Sequence, residues 1–238
     1  MYSSPHRPAM RFLDRLDALT VVSPHLDDAV FSCGALLERA REARVITVFA
    51  GTPGDVRLTD WDRRCGFPGA GEAMRTRRAE DAQALTRLGA APVWLELLDA
   101  QYGAAYRPAD VERQLAPAFD HARGVVAVPL GLFHSDHALV HHACMGLCDR
   151  HPGLEWLFYE DVPYRRLPGL VQERLAALLR AGRRLTPIAG PPASRAKELA
   201  VRAYASQLRA FGEGGYDDTF LPERYWKLEI PCMLPNPE

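Results

Sequence analysis

Lysine is almost missing from this chain. Of 29 basic residues only Lys197 and Lys227 are lysine and the rest are arginine, a skew we read as genome base composition rather than function. An excess of either charge is missing too. The 29 basic and 30 acidic groups leave a formal net charge of -1, which argues against a nucleic-acid binder resting on a broad basic surface. No apolar run approaches the ~18 residues of a membrane-spanning helix. Residues 1–11 carry Pro and Arg rather than the apolar stretch of a secretory signal. Cysteine is scarce: Cys33, Cys65, Cys144, Cys148 and Cys232 are too few, and odd in number, for a disulfide framework. A reducing cytoplasm is the expected location. Repeats, low-complexity tracts and a clear linker are also lacking, so the 238 residues are expected to form one domain over 1–238 with a full-sized core.

What is present is ordinary globular composition, 47% apolar and 25% charged, arranged as short apolar runs alternating with amphipathic stretches. Strands are predicted at Leu19–Val22, Val45–Ala50, Val93–Leu97, Gly124–Pro129 and Trp156–Tyr159. Helices are predicted at Val30–Glu42, Gly71–Leu88, Ala109–His121 and Ala138–Asp149. Further helices are expected near Val171–Ala181 and Pro192–Leu208, with a late strand near Lys227–Ile230. Alternating strands and helices imply βαβ units and a mostly parallel sheet covered on both faces, a Rossmann-like three-layer α/β fold. The unalternating run VVAVPL suits a strand buried on both sides. Two long loops, 51–70 and 212–225, are rich in Gly and charge, and loops of that length in compact domains are often functional.

Two motifs carry chemistry. Ser23-Pro24-His25-Leu26-Asp27-Asp28 follows the first strand, and His134-Ser135-Asp136-His137 follows the strand at 124–129. In an open α/β sheet, ligands bind beyond the carboxyl ends of the strands. A capping role accounts for one Asp, but not for His25 and a second acid. His25 with Asp28, and His134 with His137, share a three-residue separation. Three ligands drawn from these groups, with one open position, describe a catalytic zinc site. Imidazole with carboxylate suits zinc or another divalent transition ion better than magnesium or calcium.

The segment VVSPHLDDAVFSCGALL resembles the His-Pro-Asp-Asp signature of the zinc-dependent N-acetylglucosamine de-N-acetylases, the family of LmbE-like and phosphatidylinositol-glycan class L (PIG-L) proteins. LGLFHSDHALVHHA is similar to the family's second signature, His-x-Asp-His. Arg77-Arg78-Ala79-Glu80 with Leu88-Gly89, and Lys197 with Tyr204-Ala205-Ser206-Gln207, resemble two further family helices, so the likeness covers residues 18–210. Leu26 stands where the family usually has Pro, and Ala29 where it usually has Glu. The resemblance implies that His25, Asp28 and His137 hold zinc, with iron(II) as the alternative metal. It implies that Asp27 is the general base, that His134 steadies the tetrahedral intermediate, and that Asp136 is the acidic partner favouring protonated His134. The implied reaction removes an N-acetyl group from an N-acetylglucosamine-type conjugate, releasing acetate and a free amine. The rivals are a zinc amidase or esterase on another acylated small molecule, and an inactive sugar-binding protein on the same fold.

Weaker signals have two readings each. Arg77 either holds a substrate hydroxyl, phosphate or carboxylate, or pairs with Glu80 or a neighbouring acid. Glu160-Asp161 and Asp99 follow strands and either line the cleft or cap the next element. Cys144 and Cys148, beside His141 and His142, suit a buried pair better than a structural zinc. Trp61, Phe67, Tyr216, Tyr225 and Trp226, in or beside the long loops, either stack on sugar or pin the loops to the core. GTPG at 51–54 lacks the spacing of a dinucleotide loop.

Overall fold

The computed structural model describes residues 13, 16–54, 57–120, 122–162 and 164–229. Its centre is a seven-stranded sheet in the order β3-β2-β1-β4-β5-β7-β6. The strands are β1 (Leu16–Ser23), β2 (Ala40–Thr47), β3 (Ala90–Trp94), β4 (Val125–Pro129), β5 (Glu155–Tyr159), β6 (Leu185–Ala189) and β7 (Arg224–Leu228). The first five pair in parallel, and β7 runs antiparallel between β5 and β6. The helices are α1 (Asp28–Leu37), α2 (Asp60–Cys65), α3 (Ala70–Arg87), α4 (Pro108–Phe119), α5 (Ser135–Arg150), α6 (Leu170–Arg180), α7 (Arg195–Val201) and α8 (Ala205–Phe211).

Two cores flank the sheet, as its double-sided apolar strands require. Alternate residues of β1, β4 and β5 (Leu19, Val21, Val125, Ala127, Leu157) pack with Phe31 and Leu36 of α1, Leu85 of α3 and Val201 of α7. Their neighbours (Val22, Val126, Val128, Phe158) pack on the other face with Leu115 of α4, Val140 and Leu147 of α5 and Leu178 of α6. Cys144 and Cys148 are buried in this second core. His141 is buried there too: its Nδ1 meets the Pro129 carbonyl at 3.0 Å, and burial lowers its pKa to about 3.

Several expected boundaries move. The helix expected to run to Glu42 stops at Leu37, because 40–47 forms β2 between β1 and β3. Ala40-Arg41-Glu42-Ala43-Arg44 reads as helix former, and sheet pairing overrides that propensity. The strand expected at 93–97 lies at 90–94. The helix expected over 192–208 is two short helices separated at 202–204. The late strand begins at Arg224, and Ile230 and Cys232 lie outside the described residues. The strand β6 was not expected. Its Pro187 is tolerated because β6 is the sheet's edge. The 51–70 loop contains α2, and the 212–225 loop a single 3-10 turn at Asp217–Phe220.

The chain winds outward from β1 to β3 in one direction and from β4 to β5 in the other. The carboxyl ends of β1 and β4 therefore flank the point where strand order reverses, where such sheets open a crevice.

Candidate active site

The loop after β1 is locked from within. Ser23 Oγ donates to the His25 carbonyl at 2.7 Å and accepts the Ala29 N–H at 3.0 Å, while the His25 N–H donates to Asp28 Oδ2 at 2.8 Å. After β4, His134 caps α5: its Nδ1 accepts the Asp136 N–H at 3.2 Å. His137 lies three residues along the same helix and is buried.

The two loops meet. Asp28 Oδ2 is 3.2 Å from His25 Nδ1 and 3.2 Å from His137 Nε2. His25, Asp28 and His137 each offer a ligand atom within 4.8 Å of the others, and a second such group, His25, His134 and Asp136, shares His25. The ring nitrogens turned away from Asp28 each face a carboxylate. His25 Nε2 donates to Asp136 Oδ2 at 3.1 Å, and His137 Nδ1 donates to Asp161 Oδ1 at 2.6 Å. A carboxylate only accepts, so neutral rings carry their protons there and turn lone pairs toward Asp28. His137 Nε2 is buried and makes no hydrogen bond. An orphaned imidazole nitrogen beside a carboxylate and a second imidazole is a donor set that fits a divalent transition cation.

Electrostatics agree with this fit. Burial opposes charge on both rings, yet Asp99, Asp136 and Asp28 raise the pKa of His25, and Asp28 and Asp161 raise that of His137. The point between them thus attracts positive charge. Burial also opposes charge on Asp28, but His137 and His25 hold its carboxyl well below the usual range. Asp27 behaves oppositely: burial and the adjacent Asp28 push it up to about 7. It is the carboxyl of the cluster able to gain or lose a proton near neutrality.

Asp27, Asp28, His25 and His134 line a cavity of about 330 Å³ completed by Trp61, Arg77, Asp99, Gln101, Tyr164, Gln207 and Phe211. Trp61 is the one loop aromatic of the five considered that lines it. Tyr225 is buried in the core, and Tyr216 packs on Phe220. Arg77 is 5% exposed and pairs with Asp62 of α2 at 3.3 Å, whereas Glu80 accepts from Ser206. The Arg77 Nε has no partner.

Two expectations change. Asp136 was expected to partner His134, but its carboxylate takes His25 Nε2 and the Ala100 N–H, and only its backbone N–H meets His134. His134 was expected to favour its protonated form. Burial, with His25 and His137 nearby, instead lowers its pKa, and its Nδ1 is occupied as an acceptor, which leaves the proton on Nε2. Asp161, read as either cleft or cap, is wholly buried behind His137 and also accepts the Gly131 and Leu132 N–H groups at 2.9 and 3.0 Å. Tyr164 was missed. It sits in a 3-10 turn that carries no motif, with its ring 5.2 Å from that of His137.

Among the described residues no helix is long and apolar enough to cross a membrane. The 2'-N-acetylparomamine deacetylase of Streptomyces fradiae is 32% identical over 212 residues, spanning 79% of this chain and 72% of that protein. Among solved structures, the antimicrobial A40926 pseudoaglycone deacetylase is similar at 26% identity and a TM-score of 0.71, over 91% of this chain and 98% of that one. A zinc-inhibited form of teicoplanin deacetylase shares the fold at 21% identity and a TM-score of 0.72, over 91% and 100%. The family described as PIG-L: GlcNAc-PI de-N-acetylase matches residues 20–148. That stretch runs from β1 into α5 and holds both signature loops, so the chain belongs to the GlcNAc-PI de-N-acetylase (PIG-L) family.

Proposed function

We propose that this chain is a metal-dependent hydrolase that removes the N-acetyl group from an amino-sugar conjugate, with His25, Asp28 and His137 holding the cation. The observation that carries the reading is the buried, unpartnered His137 Nε2 facing Asp28 and His25, with Asp27 beside them in the cavity. Zinc is the cation we favour, with iron(II) the alternative; the imidazole and carboxylate donors support either. A relative caught in a zinc-inhibited form supports zinc affinity in this fold. The relatives described as 2'-N-acetylparomamine deacetylase and A40926 pseudoaglycone deacetylase support an acetylated amino sugar as substrate.

A divalent cation bound there supplies Lewis acidity for the acetamide carbonyl and for the attacking water. Asp27 accepts the proton of that water and passes it on to the departing amine. His134, with its proton on Nε2, donates to the oxygen that gains negative charge. Losing one such donor typically costs ~10²–10³ in turnover. Asp136 and Asp161 hold the His25 and His137 rings in register. Arg77, which lines the cavity, binds a substrate hydroxyl, phosphate or carboxylate.

The test is metal content per chain in untagged protein purified without chelator, for wild type, His137→Ala and Asp27→Asn, alongside amine release from N-acetylated amino sugars. Near one zinc or iron in wild type and Asp27→Asn, lost in His137→Ala, is expected, with turnover lost in both variants. A wild type that takes up no added metal would refute the reading.

A further inference from the structure

Phe133 is the one non-glycine among the described residues with a positive φ, 58°. The His134 N–H donates to the Leu132 carbonyl at 2.7 Å, closing a three-residue turn around Phe133 of the rarer, strained γ-turn hand. A bulky residue is seldom found at such φ, because its Cβ crowds the following carbonyl. Burial does not compensate, since the side chain is 70% exposed, the most exposed large apolar residue described. A strained backbone carrying an unburied aromatic next to a site residue is the pattern in which strain serves function.

The ring is not isolated from the site. It lies 5.3 Å from Tyr164, and Tyr164 lies 5.2 Å from His137 and 6.4 Å, nearly parallel, from His134. Tyr164 lines the cavity. A continuous aromatic surface therefore runs from the reacting centre outward, with Phe133 one ring beyond Tyr164.

We propose that Phe133 is a specificity-determining residue, a rim platform on which the apolar face of the ring next to the acetamido sugar rests. The preferred substrate class is thus an N-acetyl amino sugar joined to a second ring with an apolar face, rather than the free monosaccharide. This rests on the deacetylase reading above and selects among its substrates. The polar groups inside the cavity (Asp99, Gln101 and Gln207) suit the hydroxyl-bearing sugar, whereas Phe133 offers its neighbour only an apolar face. Stacking of this kind is worth about a threefold to tenfold difference in affinity.

The test compares wild type, Phe133→Gly and Phe133→Tyr on free N-acetylglucosamine and on its 4-nitrophenyl β-glycoside, followed by amine release and by calorimetric binding, with urea unfolding in parallel. Wild type is expected to prefer the aryl glycoside in kcat/KM by about threefold to tenfold. That ratio should fall toward one in Phe133→Gly through KM and be kept in Phe133→Tyr. Because glycine relieves the φ, the unfolding midpoint of Phe133→Gly should be at or above that of wild type. An unchanged ratio, with or without a drop in stability, overturns the proposal and makes Phe133 a structural prop for Tyr164. Glycoside binding that weakens in Phe133→Gly while no protein releases amine upholds the platform and overturns the hydrolase reading instead.

Discussion

Asp161 offers the sharpest test of how this site is held. Its side chain is wholly buried and its two oxygens divide their work: Oδ2 accepts the Gly131 and Leu132 N–H groups, and Oδ1 accepts His137 Nδ1–H at 2.6 Å. Asp161→Asn keeps shape and volume but replaces one acceptor by a donor. If the amide NH2 faced the loop it would confront two buried N–H groups, at ~1–3 kcal/mol each. The amide oxygen is therefore expected to stay on the loop, with NH2 facing His137. Nδ1 must then accept, which moves the ring proton to Nε2 and removes the lone pair that faces Asp28. Restoring that lone pair sets N–H against N–H, one buried mismatch of about 1.4–2.7 kcal/mol, or about 10–100-fold in metal affinity. Competition with a chromophoric chelator at pH 7.5, on wild type and Asp161→Asn, reads this directly. Zinc affinity in Asp161→Asn within twofold of wild type, in a folded protein, would refute the tautomer argument.

Two further outcomes concern the frame around the site. Lys197 and Glu223 form a buried pair at 2.7 Å, and Glu223 also accepts the Ala35 and Leu36 N–H groups and the Tyr225 hydroxyl. Lys197→Met should cost about 3–5 kcal/mol in urea unfolding, because it leaves a buried carboxylate without its counter-charge; a loss below 1 kcal/mol would contradict this. Burial raises Asp81, which accepts from Trp94 and Tyr204, to about 6. A raised acid favours the protonated folded state, so wild type should lose up to about 3 kcal/mol of stability as pH rises from about 4 through 6. Asp81→Asn should flatten that slope, measured as urea midpoints across the range.

The two signature loops were legible because motif and periodicity agree: each His-and-Asp cluster follows an apolar strand run and opens a helix. β2 was misread at its start because Arg41, Glu42 and Arg44 are good helix formers, and only pairing with β1 and β3 makes them strand. β6 escaped because Leu-Thr-Pro-Ile-Ala is short and its proline argues against a strand unless the edge position is known. Asp161 lies 24 residues beyond His137, and nothing local in the sequence says which of the buried Glu160 and Asp161 meets that ring. Phe133 gave no turn signal at all. A glycine there would have marked the bend, but the need for positive φ is written only in the backbone.

The seam between β1 and β4 carries a consequence for how the protein assembles. These strands meet through Leu19, Val21 and their partners Val125 and Ala127, pairings that span more than 100 residues of chain. Contacts between such distant segments form slowly, because loop closure comes before any gain. His25 and Asp28 belong to one side of that seam and His137 to the other, so the proposed ligand trio comes together only once the seam has closed. A cation that binds the closed form alone stabilises it by mass action, about 2.7 kcal/mol at a hundredfold excess over Kd. Held by residues from both strands' loops, it would act as a clasp where the two halves of the sheet join, and slow their reopening.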